Sequence, residues 1–247
     1  VTTEGHERQP RRRPATRKGR PTLTRELIAE RALELAGTEG FPAVTMRRLA
    51  SELGVTVRAL YNYVDDRQEV IELATHAFTS RWEAPALTVD RWETGLRDYC
   101  GRLRELYRRY PRVLLVPLDE SVGPGGVHSA RLRNPDKVLG LLHDLGIDPQ
   151  RAALIHAELG LKLFAFALLV DYRADQATGP ARTNDALSLP ESWLAAHASL
   201  DVPHLTEAHA TGLSPDAIFA HIIDTLLAAI RAEVSVGTEP GPARPRS

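Results

Sequence analysis

Arg47, Arg58 and Asn62 are the side chains best equipped for recognition chemistry. Guanidinium groups pair bidentately with guanine edges and carboxamides with adenine edges in a DNA major groove. Tyr61, Tyr63 and Arg67 stand close by with donors suited to phosphate oxygens, and Thr45, Thr56 and Ala59 complete the candidate set. Chemistry of other kinds finds no residues. There is no G-x-S-x-G elbow, dinucleotide glycine fingerprint or helical carboxylate-histidine pair. SVGPGG at 121–126 resembles a phosphate cradle, but Val127, His128 and Ser129 stand where Gly-Lys-Ser/Thr is needed. His197, His204 and His209 straddle Pro203 in an irregular stretch, and no CxxC or Cys/His ligand set exists, so neither a metal nor a cofactor is expected. The single cysteine, Cys100, reads as a buried small apolar side chain. An enzyme is the least supported class, and its discriminator is turnover of a bound ligand.

These groups need two short helices at a fixed angle to present them. Met46, Leu49, Ala50 and Leu53 form one apolar stripe behind Thr45 as N-cap, and Gly54 closes that helix in the left-handed conformation. Thr56 caps a second helix whose Leu60 and Val64 point inward, leaving Val57, Arg58, Ala59, Tyr61, Asn62 and Tyr63 wholly or partly outward. Two helices joined by a glycine-containing turn predict a helix-turn-helix, with the second helix in the major groove. A preceding helix opens at Thr24 and buries Ile28, Ala32, Leu35 and Ala36. A following one opens on the Asp66-x-x-Glu69 capping box and continues towards Trp82.

Net charge over 247 residues is only −1, which looks wrong for a phosphate-binding protein until the chain is divided at Asp66. Arg8, Arg11, Arg12, Arg13, Arg17, Lys18 and Arg20 face only Glu4 and Glu7, so the N-terminal arm is strongly basic. Residues 1–21 read as a disordered basic arm, with Arg20 reaching a groove or the backbone when DNA is present. The longest uninterrupted apolar run, Leu163 to Val170, is far below the roughly 20 residues of a membrane span. One cysteine fits a reducing compartment, and a cytoplasmic location is expected.

Residues Gly19 to Phe78 resemble the DNA-binding domain of the tetracycline-repressor (TetR) family. The resemblance rests on Gly-Phe-x-x-x-Thr-Met-Arg-x-Leu-Ala from Gly40, then Leu-Gly-Val, then Leu-Tyr-x-Tyr-Val before a polar turn. It implies a homodimeric, ligand-responsive repressor that binds a palindromic operator, a small-molecule effector as its other partner, and no membrane. Asp65 and Asp66 depart from the pattern where a basic residue often stands. Glu83 and Val116 or Pro117 occupy the places where the tetracycline-binding branch is expected to carry histidines, which argues against tetracycline itself.

The remainder predicts an all-α protein. A helix-turn-helix domain (22–66) precedes a larger helical ligand-binding and dimerisation domain (67–234) and a flexible tail (235–247). Helices are expected at Arg91 to Arg109, Pro135 to Leu145, Asp148 to about Ala174, Pro190 to Ala198 and Pro215 to Val234. Val113 to Leu118 fits a strand or a helical turn, and 121–126 a flexible loop. Apolar and aromatic residues exceed what dimerisation demands, so Trp82, Trp92, Leu96, Tyr99 and Leu103, with Val116, His156, Phe164 and Tyr172, are candidates to line a pocket for a hydrophobic or aromatic effector. Leu161 and Leu168 on one helix, and Ile222, Leu226 and Ile230 on the last, are the expected dimer seam. The alternative is a DNA-binding protein without an effector.

Overall fold

The computed structural model describes Thr16, Arg17 and residues 20–176, 191–197, 199–210 and 212–237. Most of the expected basic arm, and the tail beyond Gly237, lie outside the described residues. Of the arm, β1 (Thr16–Arg17) pairs antiparallel with β2 (Arg20–Pro21), Arg17 opposite Arg20. Everything else described with regular structure is helical.

The head is built as its caps dictate. Thr24 Oγ1 accepts the Leu27 amide at 3.1 Å and opens α1 (Arg25–Glu39). Gly40, at φ 88°, ends that helix and a 3-10 turn at Phe41–Ala43 follows. Thr45 and Thr56 each accept an amide at 3.2 Å, from Arg48 and Ala59, and start α2 (Met46–Leu53) and α3 (Val57–Leu60). Gly54 takes φ 65°, and the Val55 amide reaches back to the Ala50 carbonyl at 3.0 Å, so the turn between the helices is fixed by a left-handed C-cap. Asp66 caps α4 (Arg67–Ser80) by accepting the Glu69 amide at 2.8 Å. Glu69 returns the bond to the Asp65 amide, which is the main reason its carboxyl is held below the usual range.

The body follows as α5 (Trp92–Arg109), α6 (Val116–Asp119), α7 (Ala130–Asp144) and α8 (Pro149–Phe166). α8 passes through a π-helical turn at Ala167–Asp171 into α9 (Tyr172–Gln176). α10 (Glu191–Ala196), α11 (Pro203–Ala210) and α12 (Pro215–Gly237) complete the chain. Val113 to Leu118 is helical, a 3-10 turn at Pro111–Leu115 running into α6. α7 starts five residues before Pro135, which sits inside it. Proline is tolerated best in a first turn, so it read as a helix start when it is an interior residue. α11 had no counterpart among the expected helices.

Two cores hold these elements. One joins Ile28, Leu33, Phe41, Leu49, Leu60 and Val64 of the head to Val70, Ile71 and Ala74 of α4, and takes in Tyr110, Val113, Leu114 and Ala167 from the body. α4, counted with the second domain in the sequence, therefore shares its packing with α1. The second core lies between α5, α7, α8 and α12, around Leu96, Leu103, Leu142, Leu163, Leu227 and Ile230. Full burial of each such side chain is worth about 1.5–3 kcal/mol. A bidentate pair, Arg104 to Asp171 at 2.7 and 2.8 Å, pins α5 to the π-helical turn, with the Arg104 guanidinium over the rings of Phe166 and Phe219.

Candidate functional site

The outward face of the helix-turn-helix presents most of the expected side chains, with one correction. Thr45, Arg47, Thr56, Arg58, Tyr61 and Asn62 are exposed, and Ala59 is half-buried. The head's other arginines are already committed. Arg25 pairs with Glu69, Arg31 with Glu34, and Arg48 with Glu39 and Glu52. Arg47 and Arg58 make no ion pair among the described residues, so their charge is available to a polyanion. Arg67 is not placed as a phosphate contact. Its guanidinium donates to the Val44 and Phe41 carbonyls at 2.7 and 2.8 Å and to Glu120 at 2.6 Å, spending it on internal acceptors. Tyr63 is half-buried against the head core and so only partly outward. The Arg20 side chain lies outside the described residues.

The glycine-rich stretch expected to be a flexible loop is packed on α4. The Gly123 amide donates to Glu72 Oε1 at 3.2 Å, and Gln68 donates to the Ser121 carbonyl. Gly126 is buried, and a Cβ there would stand 2.5 Å from Val122 and 3.1 Å from the Glu72 backbone. Together with Arg67 and Glu120, these contacts clasp the first two turns of α4.

At the other end of α4 lies a cavity of about 300 Å³. Phe78 and Thr79 of α4, and Trp82 just beyond its end, form one wall. Tyr99, Leu103, Leu106 and Tyr107 come from α5, Arg131, Asn134 and Pro135 from α7, and His156 and Gly160 from α8. Four expected pocket residues, Trp82, Tyr99, Leu103 and His156, line it. The other five do not. Leu96 is fully buried in the second core and Trp92 packs on its edge. Val116 and Phe164 pack against the head core, and the Tyr172 hydroxyl accepts from Arg112 at 3.3 Å. The α7 wall was missed because reading Pro135 as a helix start left Arg131 and Asn134 in a loop.

Burial shapes the polar groups of this wall. It pushes the Tyr99 phenol up to about 12 and raises that of Tyr107. It lowers His156, so both phenols and the imidazole are neutral near pH 7. Asn134 is spent on the frame, donating to the Trp82 carbonyl at 2.8 Å and accepting the Ala84 amide at 3.0 Å. A larger cleft, about 760 Å³ and lined by Arg81, Glu105, Leu106, Arg108, Arg109 and Tyr110, carries a single aliphatic side chain and suits an apolar ligand less. The Cys100 thiol is buried and pushed up to about 12 by burial, which leaves it inert. Among the described residues no cluster of three His, Cys, Asp or Glu is placed to hold a metal ion.

The expected dimer seam divides. Leu161 is 71% exposed, whereas Leu226 and Ile230 are 2% and 1% exposed and belong to the protomer's own core. Leu168 and Ile222 are half-buried, the first against the head core and the second, on α12, against Phe166 and Val170. On α8 and the π-helical turn that continues it, the outward stripe is Leu154, Leu161 and Leu169 with Ala153, Ala157 and Ala165. On α12 the outward face carries Ala217, Ala220, Ala228, Ala229 and Ala232 together with His221, Asp224 and Thr225.

A capped helix-turn-helix, joined through one helix to a cavity-bearing helical body, defines a DNA-binding transcription regulator. Three comparisons agree. The family described as bacterial regulatory proteins, tetR family, matches residues 28–74. The HTH-type transcriptional repressor DrrR1 of Streptomyces coeruleorubidus is 31% identical over 208 residues, covering 83% of this chain and 70% of that protein. The crystal structure of the Streptomyces coelicolor TetR-family protein ActR in complex with actinorhodin superposes with a TM-score of 0.59 at 26% identity, covering 85% of this chain and 96% of ActR. The chain belongs to the tetR family of bacterial regulatory proteins. Its relatives are transcription regulators and not enzymes.

Proposed function

We propose that the protein is a homodimeric repressor that binds a palindromic operator through α2 and α3 and leaves it when a small, largely apolar molecule enters the cavity. The observation that carries this reading is the double use of α4. Val70, Ile71 and Ala74 pack the head, and Phe78 and Thr79 of the same helix wall the cavity, so one helix answers to both sites. The ActR complex with actinorhodin supports a ligand role for the body of a similar protein.

Dimerisation is supported by α8. The stretch Pro149–Gln176 is long and apolar enough to cross a membrane by length and composition, yet only 33% of its apolar window is buried within the protomer. In a regulator that meets DNA, a second copy is the natural cover. The alanines on the outer face of α12 allow close approach of helices, giving a four-helix seam with α8. Two recognition helices would then sit about 34–36 Å apart or somewhat more, one turn of the duplex.

The reading is tested by selecting fragments of the source genome on the purified protein and measuring operator affinity by fluorescence anisotropy. A recurrent palindrome bound by two protomers supports it. Selection of fragments with no common sequence, or full affinity from a monomer, overturns it.

A further inference from the structure

The cavity carries a charge asymmetry that its general role as an effector site does not require. Among the described residues its wall holds one cation, Arg131, and no carboxylate. Arg131 is also unspent. Its neighbours on α7 are committed, Lys137 at 2.9 Å and Arg133 at 3.4 Å to Glu83, while no carboxylate pairs with Arg131 among the described residues. Its charge bears instead on the Tyr107 phenol inside the cavity, which it pulls down against the larger upward push of burial.

The rest of the wall is aromatic and neutral. Trp82 and Tyr99 meet edge to face with ring centroids 5.2 Å apart, and Phe78 stacks with Tyr107 at 6.5 Å. Rings arranged in this way accept a flat apolar body. A ligand cation would meet Arg131 with no carboxylate in the wall to offset the repulsion, and an uncharged ligand would gain nothing from the guanidinium, which is exposed and stays hydrated. An anion gains a charge-assisted hydrogen bond at the rim while its rings stay in the apolar interior.

We infer that the cavity is selective for planar, fused-ring aromatic anions, with Arg131 as counter-ion to a carboxylate or phenolate and Trp82, Tyr99 and Phe78 around the rings. The inference rests on the cavity being the effector site and adds the chemical class of what enters.

The test is calorimetric titration of the full-length protein with 3-hydroxy-2-naphthoate, its uncharged methyl ester, and 2-(aminomethyl)naphthalene as the cation. The naphthoate is expected to bind about tenfold more tightly than the ester and to lose about that factor in Arg131→Gln, the worth of a charged hydrogen bond at a partly exposed site. The ester is expected to be indifferent to Arg131→Gln. Gly160→Leu locates the binding, because Gly160 lines the cavity and a Cβ there meets no atom within 4 Å; a side chain added at this wall should abolish binding of both. An ester that binds as well as the acid, an acid indifferent to Arg131→Gln, an ammonium that binds most tightly, or no binding of any probe at millimolar concentration overturns the inference. A naphthoate that shows the expected pattern but leaves operator affinity unchanged supports the charge selectivity and defeats the effector reading.

Discussion

At the scale of single residues, exposure decides which groups act. Arg58 projects from α3 without an acidic partner among the described residues, which leaves it free to meet a base edge on the proposed reading. Arg58→Ala should cost about 1–3 kcal/mol on the selected operator and little on random duplex, measured by anisotropy. Equal losses on both would reduce Arg58 to a phosphate contact. His156 makes a second prediction. Burial lowers its pKa, so the folded protein takes up this proton less readily than the unfolded chain. Stability associated with the neutral ring is intact above the usual histidine value of about 6.5 and is lost as pH falls below it. Urea midpoints should therefore drop less between pH 7 and pH 5.5 in His156→Gln than in the parent, and an identical drop would remove His156 as the cause. The exposed groups of α2 and α3 were legible because helical periodicity fixes which way a side chain points. Arg67 was not, since its acceptors lie 23 to 53 residues away in the chain.

At the scale of elements, caps and stripes were legible and partners were not. Thr24, Thr45, Thr56 and Asp66 each cap the helix that they were expected to open, because capping is a local bond. Which side of an apolar helix meets its own chain is a tertiary fact. α12 carries an apolar stripe, yet Leu226 and Ile230 turn into the protomer while the alanines turn out. The dimer test consequently belongs on α8. Leu161→Glu should leave the helical signal in circular dichroism unchanged, shift sedimentation to the monomer and weaken operator binding steeply. A variant that remains a dimer would move the seam elsewhere. The clasp on α4 yields another prediction. Glu120→Gln removes one charge from a half-buried pair with Arg67, which keeps its carbonyl partners. Discounted for the exposure of Arg67, the loss is about 1 kcal/mol, a fall in Tm of about 2–4 °C. The same substitution frees the first turns of α4 from the body. Ligand should therefore shift operator affinity less in this variant, and an undiminished shift would make the clasp a purely structural tie.

At the scale of the whole molecule, head and body are one packed object, and this sets how a ligand can act. Tyr110 lies against α1 where Gly37 leaves room, since a Cβ at Gly37 would stand 2.8 Å from its ring, and it meets Phe78 edge to face at 6.1 Å. Close-packed joints of this kind shift between discrete arrangements and do not deform continuously. On the proposed reading, a ligand in the cavity changes the setting of the head by favouring one arrangement of α4, and its influence is limited to its difference in affinity for the two. A ligand that prefers the arrangement incompatible with DNA by about 100-fold supplies about 2.7 kcal/mol of coupling, within the usual range. Linkage then fixes a result that contacts alone do not. Saturating operator must weaken 3-hydroxy-2-naphthoate by the same factor by which saturating naphthoate weakens operator, and both factors must shrink together in Glu120→Gln. The two are measured by titrating the probe into free and operator-bound protein, and operator into free and probe-bound protein. Two factors that both equal one leave a DNA-binding protein whose cavity has no part in its control.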